Sequence, residues 1–149
     1  LTEKKGLIIL ATLPGGGMTT LATACLSAID RYTRSVMALE ELSSKDIQVE
    51  NVPITTYDAL EQETPMTKLP GIIRQFPDVL VVPEITDEKT AALLCEEATT
   101  EDRLVVTMVR ARDSTEALAR PLATKVSPKR YAAAAKGVIA QRLVRRLCE

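Results

Sequence analysis

The stretch Thr12-Leu13-Pro14-Gly15-Gly16-Gly17-Met18-Thr19-Thr20 holds the two ingredients of an anion cradle. Glycines let successive backbone N–H groups turn toward one point, and hydroxyl residues stand at the entrance to a helix. Apolar Leu7-Ile8-Ile9-Leu10 precedes it, and Leu21 to Ile29 follows with apolar residues at helical spacing. Strand, glycine loop and helix is the layout of a phosphate-binding P-loop. Gly15, Gly16, Gly17, Met18, Thr19 and Thr20 are then the phosphate-binding residues, with the Thr19 hydroxyl as a candidate Mg²⁺ ligand. The full motif G-x-x-x-x-G-K-[ST] would put glycine at position 12 and lysine at position 18, where this chain has Thr12 and Met18. The backbone cradle is kept and its positive charge is gone. A flexible turn, with Thr19 an ordinary first-turn residue, is the alternative.

Two acidic positions follow buried runs and suit chemistry on a bound phosphate. Glu84 comes just after Val79-Leu80-Val81-Val82, where a Walker B element places an acid facing phosphates and metal. It is a candidate catalytic group, either metal-linked or orienting the attacking water; a helix-leading acid is the other reading. Glu40, in Leu39-Glu40-Glu41, is the second candidate, as a general base or a water-mediated Mg²⁺ holder, against a solvated surface acid. Histidine is absent, which excludes histidine acid–base catalysis and histidine metal ligands from these 149 residues.

Positioning these residues requires a sheet whose strand ends meet. Leu7 to Leu10, Val36 to Leu39, Val79 to Val82 and Leu104 to Val109 are nearly continuous apolar runs, as in strands buried on both faces of a parallel sheet. Between them, Thr19 to Asp30 and Lys89 to Thr99 carry apolar residues on one helical side, and Asp87 and Asp113 are expected helix N-caps. The alternation predicts an α/β domain with a mainly parallel central sheet flanked by helices. Pro53, Pro65 and Pro70 punctuate 43–70, where a short strand near Ile47 to Val52 is expected. Ser127-Pro128 starts a helix reaching Ala135, with Gly137 ending or kinking it. Val138 to Leu147 fits helix or strand.

The 149 residues suit a single domain, 1–149, able to bury roughly 70% of its unfolded surface. Beginning on Leu1, the chain is expected to be an excised domain or a processed chain. No apolar run approaches the roughly 20 residues that span a bilayer. Cys25, Cys95 and Cys148 are odd in number and far apart, which favours reduced thiols over a disulfide framework. Net charge is −1, but residues 1–102 carry an acidic excess and 103–149 a basic one. Solvated helix faces or subunit contacts account for that asymmetry; docking of an acidic partner is the alternative.

The stretch Ile73-Arg74-Gln75-Phe76-Pro77-Asp78 through Glu84-Ile85-Thr86-Asp87, and the run Gly137-Val138-Ile139-Ala140-Gln141-Arg142-Leu143-Val144-Arg145-Arg146-Leu147-Cys148, resemble the C-terminal motor domain of type II secretion and type IV pilus assembly ATPases. Leu39-Glu40-Glu41 falls at that family's acidic box. The resemblance runs collinearly from about Gly6 to Cys148. It implies a RecA-like P-loop fold, ATP and Mg²⁺ as ligands, and partners within a secretion or pilus machine. It further implies hexamers with ATP between subunits, no nucleic acid, and a cytoplasmic position at the inner membrane reached through partner proteins. Cys148 matches the first cysteine of a zinc module in many relatives, so zinc is expected only in a longer parent chain.

The departures fall on nucleotide chemistry. Besides Met18 and Thr12, Pro83 stands where the family has glycine, Thr86 where it has arginine, and both family histidines are missing. Arg110 occupies the place of the second. Losing one preorganised donor costs roughly 10²–10³ in kcat, and a missing P-loop cation at least as much. Arg103, Arg110 or Arg112 could supply charge across a subunit boundary, against ordinary surface pairing. A degenerate relative with impaired hydrolysis is the preferred mechanism; a non-binding structural or regulatory module is the alternative.

Overall fold

The computed structural model describes residues 4–44 and 46–145. Six strands form one sheet: β1 (Gly6–Thr12), β2 (Val36–Glu41), β3 (Ile54–Tyr57), β4 (Val79–Val82), β5 (Leu104–Arg110) and β6 (Ala135–Gln141). Their order is β3-β2-β4-β5-β1-β6, and each pairing is parallel. The connections carry α1 (Met18–Ser27), α2 (Pro65–Ile73), α3 (Glu88–Thr99), α4 (Ser114–Ala123) and α5 (Pro128–Ala134).

Alternate residues of each strand face opposite layers, so the continuous apolar runs feed two cores. Leu7, Ile9 and Ala11 of β1 pack with Leu69 and Ile72 of α2, Leu94 and Cys95 of α3, and Tyr131 and Ala134 of α5. Ile8 and Leu10 face the other way, onto Met18, Leu21, Ala22, Cys25 and Leu26 of α1, with Ile47 and Val52 completing that layer. Asp87 and Asp113 cap their helices, accepting hydrogen bonds from the backbone N–H groups of Thr90 and Glu116.

Three expectations are corrected. The strand between β2 and β4 is Ile54–Tyr57, whereas 47–52 runs as coil that buries Ile47 and Val52. The proline-punctuated region holds helix α2: Pro65 sits at N1, where its missing N–H has no partner to lose. Pro70 lies inside the same helix, which is held by burial of Leu69 and Ile72. Gly137 neither ends nor kinks a helix; α5 stops at Ala134 and Gly137 lies in β6, whose pairing with β1 makes 138–141 strand.

Because the strands are parallel, Thr12, Glu41, Tyr57, Val82, Arg110 and Gln141 all end at one edge of the sheet. The chain leaves β1 toward β2 on one side, while β6 returns on the other. Such a reversal opens a crevice at the carboxyl ends, the usual ligand position in open α/β sheets.

Candidate phosphate-binding cleft

The glycine loop follows β1 at that edge, and of its residues Met18 reaches the lining of the cleft that opens there. Gly15 and Gly17 have φ of +70° and +84°, in the left-handed region that glycine adopts without steric cost. Gly17 caps α1 without any side-chain cap bond. The N–H groups of the first helical turn (Met18, Thr19, Thr20) therefore have neither intrahelical acceptors nor a capping side chain. A Cβ on Gly16 would lie 2.7 Å from the Leu13 carbonyl oxygen, and one on Gly17 would lie 2.9 Å from Gln141 Nε2. Gln141, ending β6, donates to the carbonyl oxygens of Gly16 at 3.0 Å and Gly17 at 3.4 Å, tying the loop to the neighbouring strand.

A cleft of about 440 Å³ opens beside the helix start, with Met18, Glu40, Asp46, Glu84 and Arg110 among its lining residues. Glu40 and Glu84 thus share one cavity with the P-loop lysine position. Met18 is 5% exposed and belongs to the α1 core layer. Thr20 is exposed on α1.

Each acid already has protein partners. The Glu40 carboxylate is buried and accepts from the backbone N–H of Asp46 at 2.6 Å and of Ile47 at 3.0 Å, so it anchors the segment after β2. Glu84 accepts from Arg120 Nη1 of α4 at 2.9 Å. The Thr107 hydroxyl donates to the Pro83 carbonyl at 2.8 Å, fixing the turn that presents Glu84. Arg120 also reaches Glu116, which Arg112 grips through its backbone N–H and guanidinium, pulling the Glu116 carboxyl down to about 2. Tyr57, at the cleft wall, has its hydroxyl pushed up by burial and then by the nearby Glu41 charge.

Asp46 and Gln141 were not marked by the sequence pattern. Asp46 Oδ1 accepts from Thr19 Oγ1 at 3.3 Å; its Oδ2 accepts from Ser44 Oγ at 3.0 Å and Arg110 Nη2 at 3.3 Å. No periodicity distinguishes this aspartate, because it lies in coil. Arg110, considered above as a charge across a subunit boundary, lies on this chain's own cleft.

The remaining charged candidates are dispersed. Asp78 accepts from the Ser35 backbone N–H at 2.7 Å, at the opposite edge of the sheet, where β2 and β4 begin. Arg103 is buried, paired with Glu97, and its Nε donates to the Pro77 carbonyl at 2.6 Å. Burial lowers its guanidinium below the ordinary value and Asp78 opposes the shift. Cys25 and Cys95 are buried free thiols, pushed up chiefly by burial. Cys148 lies outside the described residues.

The residues present fit a phosphate group. Thr12 is fully buried at the base of the loop, and its hydroxyl has no hydrogen-bond partner among the described residues. The candidate Mg²⁺ ligands Thr19 and Glu84 are engaged by Asp46 and Arg120, and among the described residues no group of three or more acidic or thiol side chains is clustered to hold a metal ion.

Comparison with known proteins gives the lineage. A family model described as "Type II/IV secretion system protein" matches residues 1–149. Type II secretion system protein E of Klebsiella pneumoniae is 33% identical over 142 residues, 95% of this chain and 28% of that protein. Type II secretion system protein HxcR of Pseudomonas aeruginosa is 30% identical over 146 residues, 98% of this chain and 30% of that protein. The chain thus spans less than a third of these relatives. Among solved structures, the ATPase DotB of Legionella pneumophila superposes with a TM-score of 0.71 at 17% identity, covering 95% of this chain and 42% of that one. The pilus retraction motor PilT with bound ADP gives 0.69 at 19% identity, covering 95% and 43%. These likenesses establish the fold.

Proposed function

Since the chain belongs to the type II/IV secretion system protein family, we propose that it is a nucleotide-binding domain of a secretion or pilus assembly ATPase homologue with impaired hydrolysis. The observation that carries this reading is the glycine loop at the start of α1, in left-handed geometry, with an apolar buried Met18 where the cation would be. Gly15 and Gly17 to Thr20 would hold the phosphates through backbone N–H groups, the Gly16 N–H already donating to the Leu13 carbonyl, and Thr19 and Glu84 would hold Mg²⁺. Bound ATP–Mg²⁺ would supply the phosphoryl group whose transfer powers a motor. Without a lysine, developing charge on that group lacks its usual partner.

Relatives are named as proteins of secretion systems and a pilus assembly ATPase, so other machine subunits and copies of this chain are the expected partners. Among the described residues no helix is long and apolar enough to cross a membrane, consistent with attachment at the inner membrane through partners. A purely structural or regulatory module is the second reading. It is favoured by one observation: Thr19, Glu40 and Glu84 are all engaged by protein groups.

Steady-state phosphate release and calorimetric titration of ATP–Mg²⁺ test the proposal. Measurable binding with negligible turnover, and tighter binding by Met18→Lys, is the expected result. Robust wild-type turnover abolished by Glu84→Gln would overturn the impaired reading. No binding by wild type or Met18→Lys would leave the structural module.

A further inference from the structure

We propose that Arg110 is the phosphate-binding cation of this cleft and that Asp46 is its resident placeholder, a carboxylate displaced by the incoming phosphate. The assignment rests on the nucleotide reading above and supplies the charge that position 18 lacks.

Arg110 ends β5 in register with Thr12, which ends β1 immediately before the glycine loop. Adjacent strands lie about 4.8 Å apart, so the guanidinium rises from the strand next to the cradle. It lines the same cavity as Met18, with the side chain 49% exposed and able to receive a ligand. Its partner Asp46 also takes the Thr19 and Ser44 hydroxyls. Two hydroxyls and a guanidinium around one anionic group are the donors a phosphate oxygen would use. In effect the carboxylate stands where a phosphate oxygen would be received.

Two features make this carboxylate displaceable. Its contacts with Thr19 and Arg110 are both 3.3 Å, beyond the usual range for hydrogen bonds, and only one guanidinium nitrogen is engaged. A phosphate can take two parallel N–H bonds from the same fork and carries more charge. In addition, the backbone of Asp46 is fixed independently, through its N–H and that of Ile47 on Glu40. Rotation of the Asp46 side chain is therefore enough for exchange, with the segment after β2 staying in place. An ordinary surface ion pair would share neither the P-loop hydroxyl nor the cavity.

The experiment is calorimetric titration of ADP–Mg²⁺, and separately of inorganic pyrophosphate, into the protein and its R110Q, R110K, D46N and D46N/R110Q variants, with circular dichroism as the fold control. An M18K variant is titrated in parallel. Arg110→Gln should weaken both ligands by roughly tenfold or more, and Arg110→Lys by less. Asp46→Asn should tighten both, because the competing charge is gone. That gain should vanish in the double variant, a coupling that a merely structural role for either residue would not produce. Binding that appears only in D46N would show that the carboxylate blocks the cleft and is not displaced, which would overturn the placeholder. If R110Q binds within about twofold of wild type, or the two effects simply add, Arg110 is not the cation while the nucleotide reading survives. Binding by M18K alone has the same meaning. Failure of every variant to bind removes the nucleotide reading, and this assignment with it.

Discussion

Thr12 and Arg110 are register partners across β1 and β5, each the last residue of its strand at the edge that carries the glycine loop. One stands at the position of the first P-loop glycine, and the other brings charge to the cleft. Thr12 is also a cost, since its buried hydroxyl has no partner among the described residues. Replacing it with valine removes an unsatisfied group of similar shape, worth about 1 kcal/mol of stability or more. Chemical denaturation of Thr12→Val should therefore show unchanged or increased stability. A loss above about 1 kcal/mol would mean the hydroxyl is satisfied.

Gly17→Ala should disrupt both loop and helix start. Its φ of +84° costs a non-glycine residue about 1–2 kcal/mol, and its Cβ would push aside the flexible Gln141 amide, 2.9 Å away, that ties the loop to β6. Thermal melting should fall by several degrees and nucleotide binding should weaken in parallel; an unchanged melt would contradict the loop geometry.

Binding of ATP should require Mg²⁺. Glu40, Glu41, Asp46 and Glu84 line the cleft with Arg110, an acidic excess that repels a polyanionic ligand. Titration of ATP in EDTA should give affinity at least about tenfold weaker than with Mg²⁺, the difference shrinking as salt screens the charges. Equal affinities would show that the acids do not face the phosphates.

Arg103 and Glu97 form a buried ion pair beneath the turn before β4. Arg103→Met should cost about 3–5 kcal/mol, because the Glu97 carboxylate is left uncompensated. Arg103→Met combined with Glu97→Met should recover much of that loss. Urea denaturation of the single and double variants checks this, and additive losses would refute it.

Acid should loosen the α4 network. The Glu116 carboxyl lies near 2 in the folded chain against an ordinary 4.5, held by Arg112 and Arg120. A depressed folded value means its contribution is complete above about pH 4.5 and is lost as pH falls toward 2. The stability difference between wild type and Glu116→Gln should be constant at neutral pH and shrink over that window. A difference independent of pH would dismiss the assignment.

By itself the sequence determined the layered α/β class, the four central strands and the glycine loop before α1. Those depend on local signals: continuous apolar runs, helical spacing, and aspartates placed to cap α3 and α4. It also marked Glu40 and Glu84, because an acid after a buried parallel strand must emerge at the carboxyl edge. Long-range pairing decided the rest. Whether Val138 onward became strand depended on the free edge of β1, and α2 formed across two prolines because Leu69 and Ile72 had a sheet face to cover. No local pattern could reveal that Glu40 anchors the backbone of Asp46 and Ile47, that Asp46 bridges Thr19 and Arg110, or that Arg110 faces its own cleft. Those contacts join residues 6 to 64 positions apart, and only the stacking of parallel strands brings their ends to one edge.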